Sequence, residues 1–234
     1  MFEPPLEPHA LNALRTVAVM QPYFLPYAGY FRLFTTTDLF VLYDCVQFPR
    51  RGWLHRNRLL NRAGELEWLS LPLQKAPQDV LIRELTFRAS AGSELEAQFA
   101  RFPSLSTVAG RRLVDQMRDL AGTPVDYIER LLRFVALELR LPWRTVRSSS
   151  LEIDPGLRGQ ERILAIVKQV GALTYVNPPG GRELYDASRF EAAGVSLRFL
   201  PPYEGSFVSI AERLATDDHA RVATEIAAGS RRLP

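Results

Sequence analysis

Polar and titratable side chains gather where two apolar runs stop. The run TVAVM (16–20) ends at Gln21, and LFVLY (39–43) ends at Asp44. A glutamine or carboxylate at the end of a buried strand must meet a hydrogen-bond partner, in the protein or in a ligand. Asp44 therefore reads two ways, as a satisfied structural anchor or as a catalytic base. The tract Trp53-Leu54-His55-Arg56-Asn57-Arg58 sets an imidazole between an indole and two guanidinium groups. Nearby cations favour the neutral imidazole, the form in which His55 can accept a proton. A histidine on an arginine-rich surface loop is the competing reading. Cys45 is a nucleophile if His55 comes within hydrogen-bond reach, and otherwise core filler. A third polar edge, Asn177-Pro178-Pro179-Gly180-Gly181-Arg182, follows the run LTYV. Its glycines let backbone approach a ligand and Arg182 can pair with an anion. A tight turn explains the same residues.

Composition narrows these options. With 47% hydrophobic and 24% charged residues in 234, the chain has a globular balance and needs no disulfide or metal to stay folded. Cys45 is the only cysteine, so neither an internal disulfide nor a cysteine zinc cluster can form. His9, His55 and His219 are too scattered to suggest a metal site. Neither a metal nor a cofactor is expected. No stretch approaches the roughly 20 apolar residues that span a bilayer. The opening MFEPPLEPHAL lacks the basic-then-apolar order of a signal peptide. The expectation is a cytoplasmic protein without a membrane span. Net charge is only +3, Lys75 and Lys168 are the only lysines, and the arginines are spread along the chain. No nucleic-acid-binding motif is present, so nucleic acid is not an expected partner.

The elements that must position these side chains follow from periodicity. Residues 1–15 read as an N-terminal leader without structure of its own, and 16–234 as one domain. Thr16–Met20 is a buried strand stopped by Pro22, because proline cannot donate to a sheet ladder. Ala28–Thr36 reads as a short helix and Leu39–Tyr43 as a second strand, together a βαβ unit with a right-handed crossover. Arg50–Arg58 is a polar, basic stretch. Glu65–Leu73 and Val80–Phe87 both alternate and read as an antiparallel pair at the sheet edge. From Ser93 to Leu139 the period is helical, with Gly122 closing one helix and Pro124 opening the next. Strands are expected at Thr145–Ser148, Leu173–Val176 and Val195–Leu200, and helices at Gln160–Val170, Arg189–Ala193 and Ser209–Ala228. The predicted fold class is α/β: a mostly parallel sheet of βα units with helices on both faces, an antiparallel strand extension and a helical middle segment. In such sheets ligands bind beyond the carboxyl ends of the strands, where Gln21, Asp44 and Asn177 lie.

The run VAVMQPYFLPYAGYFRLFTTTDLFVLYDCVQFPRRGWLHRNRLL resembles the WbqC-like protein family. Gln21, Pro22, Tyr23, Pro26, Gly29, Tyr30 and Phe31 fit one part of the family pattern. Asp38, Asp44, Val46, Gln47, Phe48, Trp53, Arg56, Asn57 and Arg58 fit the next. The later run GALTYVNPPGGRELYDASRFEAAGVSLRFLPPY is similar to the family's carboxyl-terminal half, so the resemblance extends from about Val17 to Tyr203. Cys45, His55 and the loop NPPGGR depart from the usual family residues. The resemblance implies a bacterial protein of O-antigen, other surface-polysaccharide or natural-product biosynthesis. It also implies transfer of glycine or a related aminoacyl group to an amino sugar.

Three readings of function result. In the first, the protein is an acyl or aminoacyl transferase that forms an amide on an amino sugar or related amine. Asp44 or His55 takes the amine proton, and Gln21, Tyr23, Gln47, Trp53 and Asn57 orient the reactants. Arg56, Arg58 and Lys75 hold the phosphates of a nucleotide-linked amino sugar or of an acyl carrier protein's prosthetic arm. Gly180, Gly181, Arg182, Tyr185 and Asp186 add a second binding edge. In the second, the chain is a nucleotidyl transferase or nucleotide-dependent ligase, although it has no phosphate-binding glycine loop. In the third, the aromatic turn Tyr23–Tyr27 is an interaction patch of a non-catalytic partner.

Overall fold

In the computed structural model, which describes residues 15–230, five strands form one parallel sheet. They are β1 (Thr16–Met20), β2 (Leu39–Leu42), β5 (Thr145–Arg147), β6 (Thr174–Asn177) and β7 (Ser196–Phe199), in the order β5-β2-β1-β6-β7. Asp38 sets the start of this frame. Its Oδ2 accepts from the amides of Arg15 and Thr16 and from the Thr16 hydroxyl, at 2.8–3.0 Å. That carboxylate fastens the first residue of β1 to the turn before β2.

Alternation along the central strands supplies two cores. Val17, Val19, Leu39 and Val41 face α5 (Gly159–Gln169), which contributes Ile163, Ile166 and Val167, and α6 (Ala187–Ala192), which contributes Phe190. Ala18, Phe40 and Leu42 face the other way. There they meet α1 (Arg32–Thr36) and a larger cluster reaching α7 (Ile210–Thr216) and α8 (His219–Ser230). The helical middle consists of α2 (Ala91–Phe99), α3 (Val108–Met117) and α4 (Pro124–Glu138). The α4 start has its Thr123 and Asp126 side chains capping each other's backbone amides. Among the described residues no helix is long and apolar enough to cross a membrane. The α/β class is as predicted.

Three expectations change. The antiparallel pair is β3 (Arg56–Leu60) with β4 (Leu66–Ser70), so a strand lies within the stretch read as a polar loop. Asn57 and Leu59 point inward, whereas Arg56 and Arg58 cover the outer face, so the polar Asn57 takes an inward position. Val80–Phe87 is not a strand. It makes only isolated bridges, Leu81 with Gln47 and Phe87 with Leu73, around a 3-10 turn at Ile82–Glu84. The segment read as one helix from Ser209 is two, broken where Asp217 adopts an extended conformation. Of the leader predicted over 1–15, residues 1–14 lie outside the described residues, and Arg15 already bonds to Asp38.

The turn after β1 depends on β3. Leu25 has φ +46°, a left-handed conformation that costs a branched residue about 1–2 kcal/mol. Asn57 holds it. Its Nδ2 donates to the carbonyls of Phe24 (3.1 Å) and Leu25 (2.6 Å), and Ser209 Oγ adds a second donor to Leu25 (2.7 Å). Gly29 follows because a Cβ there would lie 2.3 Å from the Tyr27 ring and 2.7 Å from Tyr203. We expect Asn57→Ala to destabilise the protein by about 2 kcal/mol in urea denaturation, because two buried carbonyls lose a donor. Arg58→Ala on the outer face is expected to cost less than about 1 kcal/mol, and equal losses would refute this reading of the turn.

Candidate functional site

A cavity of about 590 Å³ opens at the carboxyl ends of β2 and β5. Three stretches enclose most of it: residues 43–47 after β2, 148–155 after β5, and the first turn of α5. Residues Asp79–Arg83 close a further side. This is the edge at which parallel sheets bind ligands.

Its floor is built on Asp44, which is fully buried. Oδ1 accepts from the Ser148 hydroxyl and the Ser149 amide, each at 2.9 Å, and Oδ2 accepts from the Ser149 hydroxyl at 2.6 Å. The Ser148 oxygen in turn receives the amides of Asp44 (3.1 Å) and Cys45 (3.3 Å). Asp44 itself does not open into the cavity, but Ser149, half-buried on the cavity wall, does. The carboxylate therefore meets the cavity through the Ser149 hydroxyl. Ser148 Oγ also lies 3.0 Å from Cys45 Sγ. On the adjoining wall, burial, followed by the Cys45 thiol beside it, pushes the Tyr43 phenol up to about 12, so Tyr43 is a neutral hydrogen-bond donor at physiological pH.

Arginine supplies the positive charge. Arg162, only 7% exposed, donates from Nη1 to the Cys45 carbonyl (2.7 Å) and from Nη2 to the Pro155 carbonyl (3.1 Å). Arg158 donates to the carbonyls of Pro155 and Leu157. Sequence reasoning missed Arg158, Arg162, Ser148 and Ser149. The triple serine 148–150, directly after a strand, was the available signal.

Of the residues singled out from the sequence, Cys45 and Gln47 line this cavity and Asp44 lies under it. Gln47 Nε2 donates to the Gln78 carbonyl at 2.8 Å. The others sit elsewhere among the described residues. The Gln21 carbonyl accepts from Tyr30, whose ring packs on Tyr23. Trp53 and Trp68 lie 5.4 Å apart on the outer face of the β3-β4 hairpin. Arg56 stacks over Trp68 at 4.2 Å, and Arg58 lies 5.5 Å from both indoles. Asn57 is the buried lock of the aromatic turn, and Lys75 is exposed away from the cavity. In the later loop, Gly181 is required by contact with protein, since a Cβ there would lie 1.9 Å from Asn177 Nδ2. Gly180 has open space around it, and Arg182 lies over Phe199. Tyr185 bonds the Tyr175 hydroxyl at 3.1 Å, and Asp186 caps α6 through the Ser188 amide. Among the described residues no cluster of three His, Cys, Asp or Glu side chains is placed to hold a metal ion.

A family model described as the WbqC-like protein family matches residues 21–206, which includes Asp44, Ser149 and Arg162. The chain is also 25% identical over 198 residues to an uncharacterized protein of Mycobacterium tuberculosis, Rv1507c. That similarity covers 82% of this chain and 84% of the mycobacterial protein. No solved structure matches at a significant level.

His55 packs edge-on against Phe48, and its buried Nδ1 has no hydrogen-bond partner. Burial, followed by the Arg56 guanidinium, pushes the imidazole down to about 4 from its ordinary 6.5. Between these values the unfolded chain binds a proton that the folded chain refuses. Stability contributed here is complete above about pH 6.5 and is lost as pH falls toward 4. We expect His55→Gln to flatten that slope. Over the interval the wild type should lose about 2 kcal/mol more than the variant, once solvent screening of the half-buried ring is allowed for. Parallel denaturation curves at the two pH values would show that the ring titrates normally.

Proposed function

This chain belongs to the WbqC-like protein family, and on that footing we propose that it transfers an acyl or aminoacyl group to an amine. The acceptor is an amino sugar, free or nucleotide-linked, or a related amine of surface-polysaccharide or natural-product biosynthesis. The donor is an activated acyl compound such as a carrier-bound aminoacyl thioester. The observation that carries this reading is the Ser149–Asp44 pair, a hydroxyl facing the cavity of about 590 Å³ and bonded at 2.6 Å to a buried carboxylate.

The chemistry follows from that pair. An amine nitrogen attacks the acyl carbonyl, a carbon–nitrogen bond forms, and the bond to the leaving thiol breaks. The nitrogen must lose a proton. Ser149 Oγ accepts it while passing its own proton to Asp44 Oδ2, and the departing thiolate takes the proton back. Tyr43 and Gln47 stand on the same walls to donate hydrogen bonds to the acyl oxygen as charge develops there. In this mechanism Asp44 keeps the role of base expected from its position, acting through Ser149. His55, Arg56, Arg58 and Lys75 have no part in the transfer. The interaction-patch alternative loses its support, because Phe24 and Leu25 of the aromatic turn are buried in the core.

The test is amide formation followed by mass spectrometry, with aminoacyl thioesters and amino-sugar nucleotides offered in pairs. Ser149→Ala is expected to lower kcat by about a hundredfold, within the usual range for general acid–base groups, and to leave KM nearly unchanged. Ser150→Ala, whose hydroxyl bonds only the Arg147 carbonyl among the described contacts, should retain full activity. A fully active Ser149→Ala would remove the proton relay.

A further inference from the structure

The first turn of α5 violates the electrostatics of a helix. Helix N-termini carry partial positive charge and favour anions, commonly Asp or a hydroxyl side chain at the cap. Here the cap residue is Arg158, which offers its first-turn amides no side-chain acceptor. Arg162 adds a second guanidinium in the next positions. It is more than nine-tenths buried, and among the described residues its Nε has no hydrogen-bond partner and its other donors meet backbone carbonyls and the Cys45 sulfur. A buried cation without a counter-ion is costly.

Neighbouring acids do not cancel this charge. Glu161, in the same turn, is held by Arg189 at 2.6 Å. Asp154 Oδ1 is taken by the Gly156 amide at 2.7 Å. Asp79 stands on the wall formed by residues 79–83, which also places Arg83 against the cavity. Two guanidinium groups and an uncapped eleven-residue helix thus converge on one side of a cavity of about 590 Å³. Arginine and free helix amides together are the donor set that phosphate oxygens take.

We infer that the α5 N-terminus, Arg158 and Arg162 form a phosphoryl-binding site that takes the phosphate or diphosphate of a small-molecule substrate. The site shares its cavity with the proposed acyl transfer but stands without it. A phosphate there reaches the same cavity as the Ser149 hydroxyl, so the charged end anchors a molecule whose reactive end lies over the floor. Two sources offer this chemistry: a nucleotide-linked sugar, and the phosphopantetheine arm of a carrier.

Calorimetric titration of the full chain tests it, using inorganic pyrophosphate, a nucleotide-linked amino sugar and pantetheine 4′-phosphate at fixed ionic strength. Pyrophosphate is expected to bind in the micromolar range. Arg158→Gln, an exposed change that keeps the fold, should weaken it at least about tenfold. Arg162→Met should abolish binding while circular dichroism is retained, and if that variant does not fold, Arg158→Gln decides alone. Tighter binding of the nucleotide sugar, or of the pantetheine phosphate, supports the site and identifies the source. No micromolar binding by any of the three, or equal binding by wild type and Arg158→Gln, overturns it. Binding of pyrophosphate with no amide formed from any substrate pair keeps this site and removes acyl transfer.

Discussion

The site rests on a carboxylate that has been taken out of water and, among the described residues, forms no ion pair. Asp44 ends β2 at a point where the chain must leave the sheet, and its oxygens are met by hydroxyl and amide donors of Ser148 and Ser149. A buried carboxylate is tolerated only where several such donors satisfy it. This one interaction fixes the residues that follow β5 against those that follow β2, and so determines the cavity floor. The Ser148 oxygen returns the favour by accepting the amides of Asp44 and Cys45, which leaves the turn after β2 little freedom to move.

Much of this was legible in the sequence, for identifiable reasons. β1, β2 and β6 announced themselves as short apolar runs, and the three middle helices through their period and the Gly122/Pro124 punctuation. Asp44 was conspicuous because it ends an apolar strand. β3 was hidden because one of its inward residues is Asn57, so the run Arg56-Asn57-Arg58 is polar throughout and shows no hydropathy alternation. Arg162 was hidden for a related reason, since a charged residue in an amphipathic helix is ordinarily assigned to solvent. Its position four residues before the buried Ile166 was the clue, placing it beside the apolar stripe rather than opposite to it. The partition of Asp44 below the surface and Ser149 above it depends on pairing across the sheet, which no local pattern contains.

Arginine serves two separate purposes in this protein. On the β3-β4 hairpin, Arg56 lies over Trp68 and Arg58 beside both Trp53 and Trp68, where guanidinium groups shield aromatic faces that the hairpin leaves half-exposed. Around the cavity, Arg158 and Arg162 spend their donors on backbone carbonyls and retain their charge for the space beside them. The difference lies in neither the residue nor the local sequence composition. It lies in whether a flat ring is available to receive the guanidinium plane.

The separation of Asp44 from Ser149 along the chain, 105 positions, has a consequence for how the molecule comes into being. Closing a loop of that length costs about 2 kcal/mol more entropy than closing one a tenth as long. β1, α1 and β2 can pair as a local unit, but the floor must wait until α2, α3 and α4 have been made and β5 has crossed to the outer side of β2. During synthesis on the ribosome, the buried carboxylate is therefore a solvated surface group for most of the chain's emergence, and it becomes an interior one only when the serines arrive.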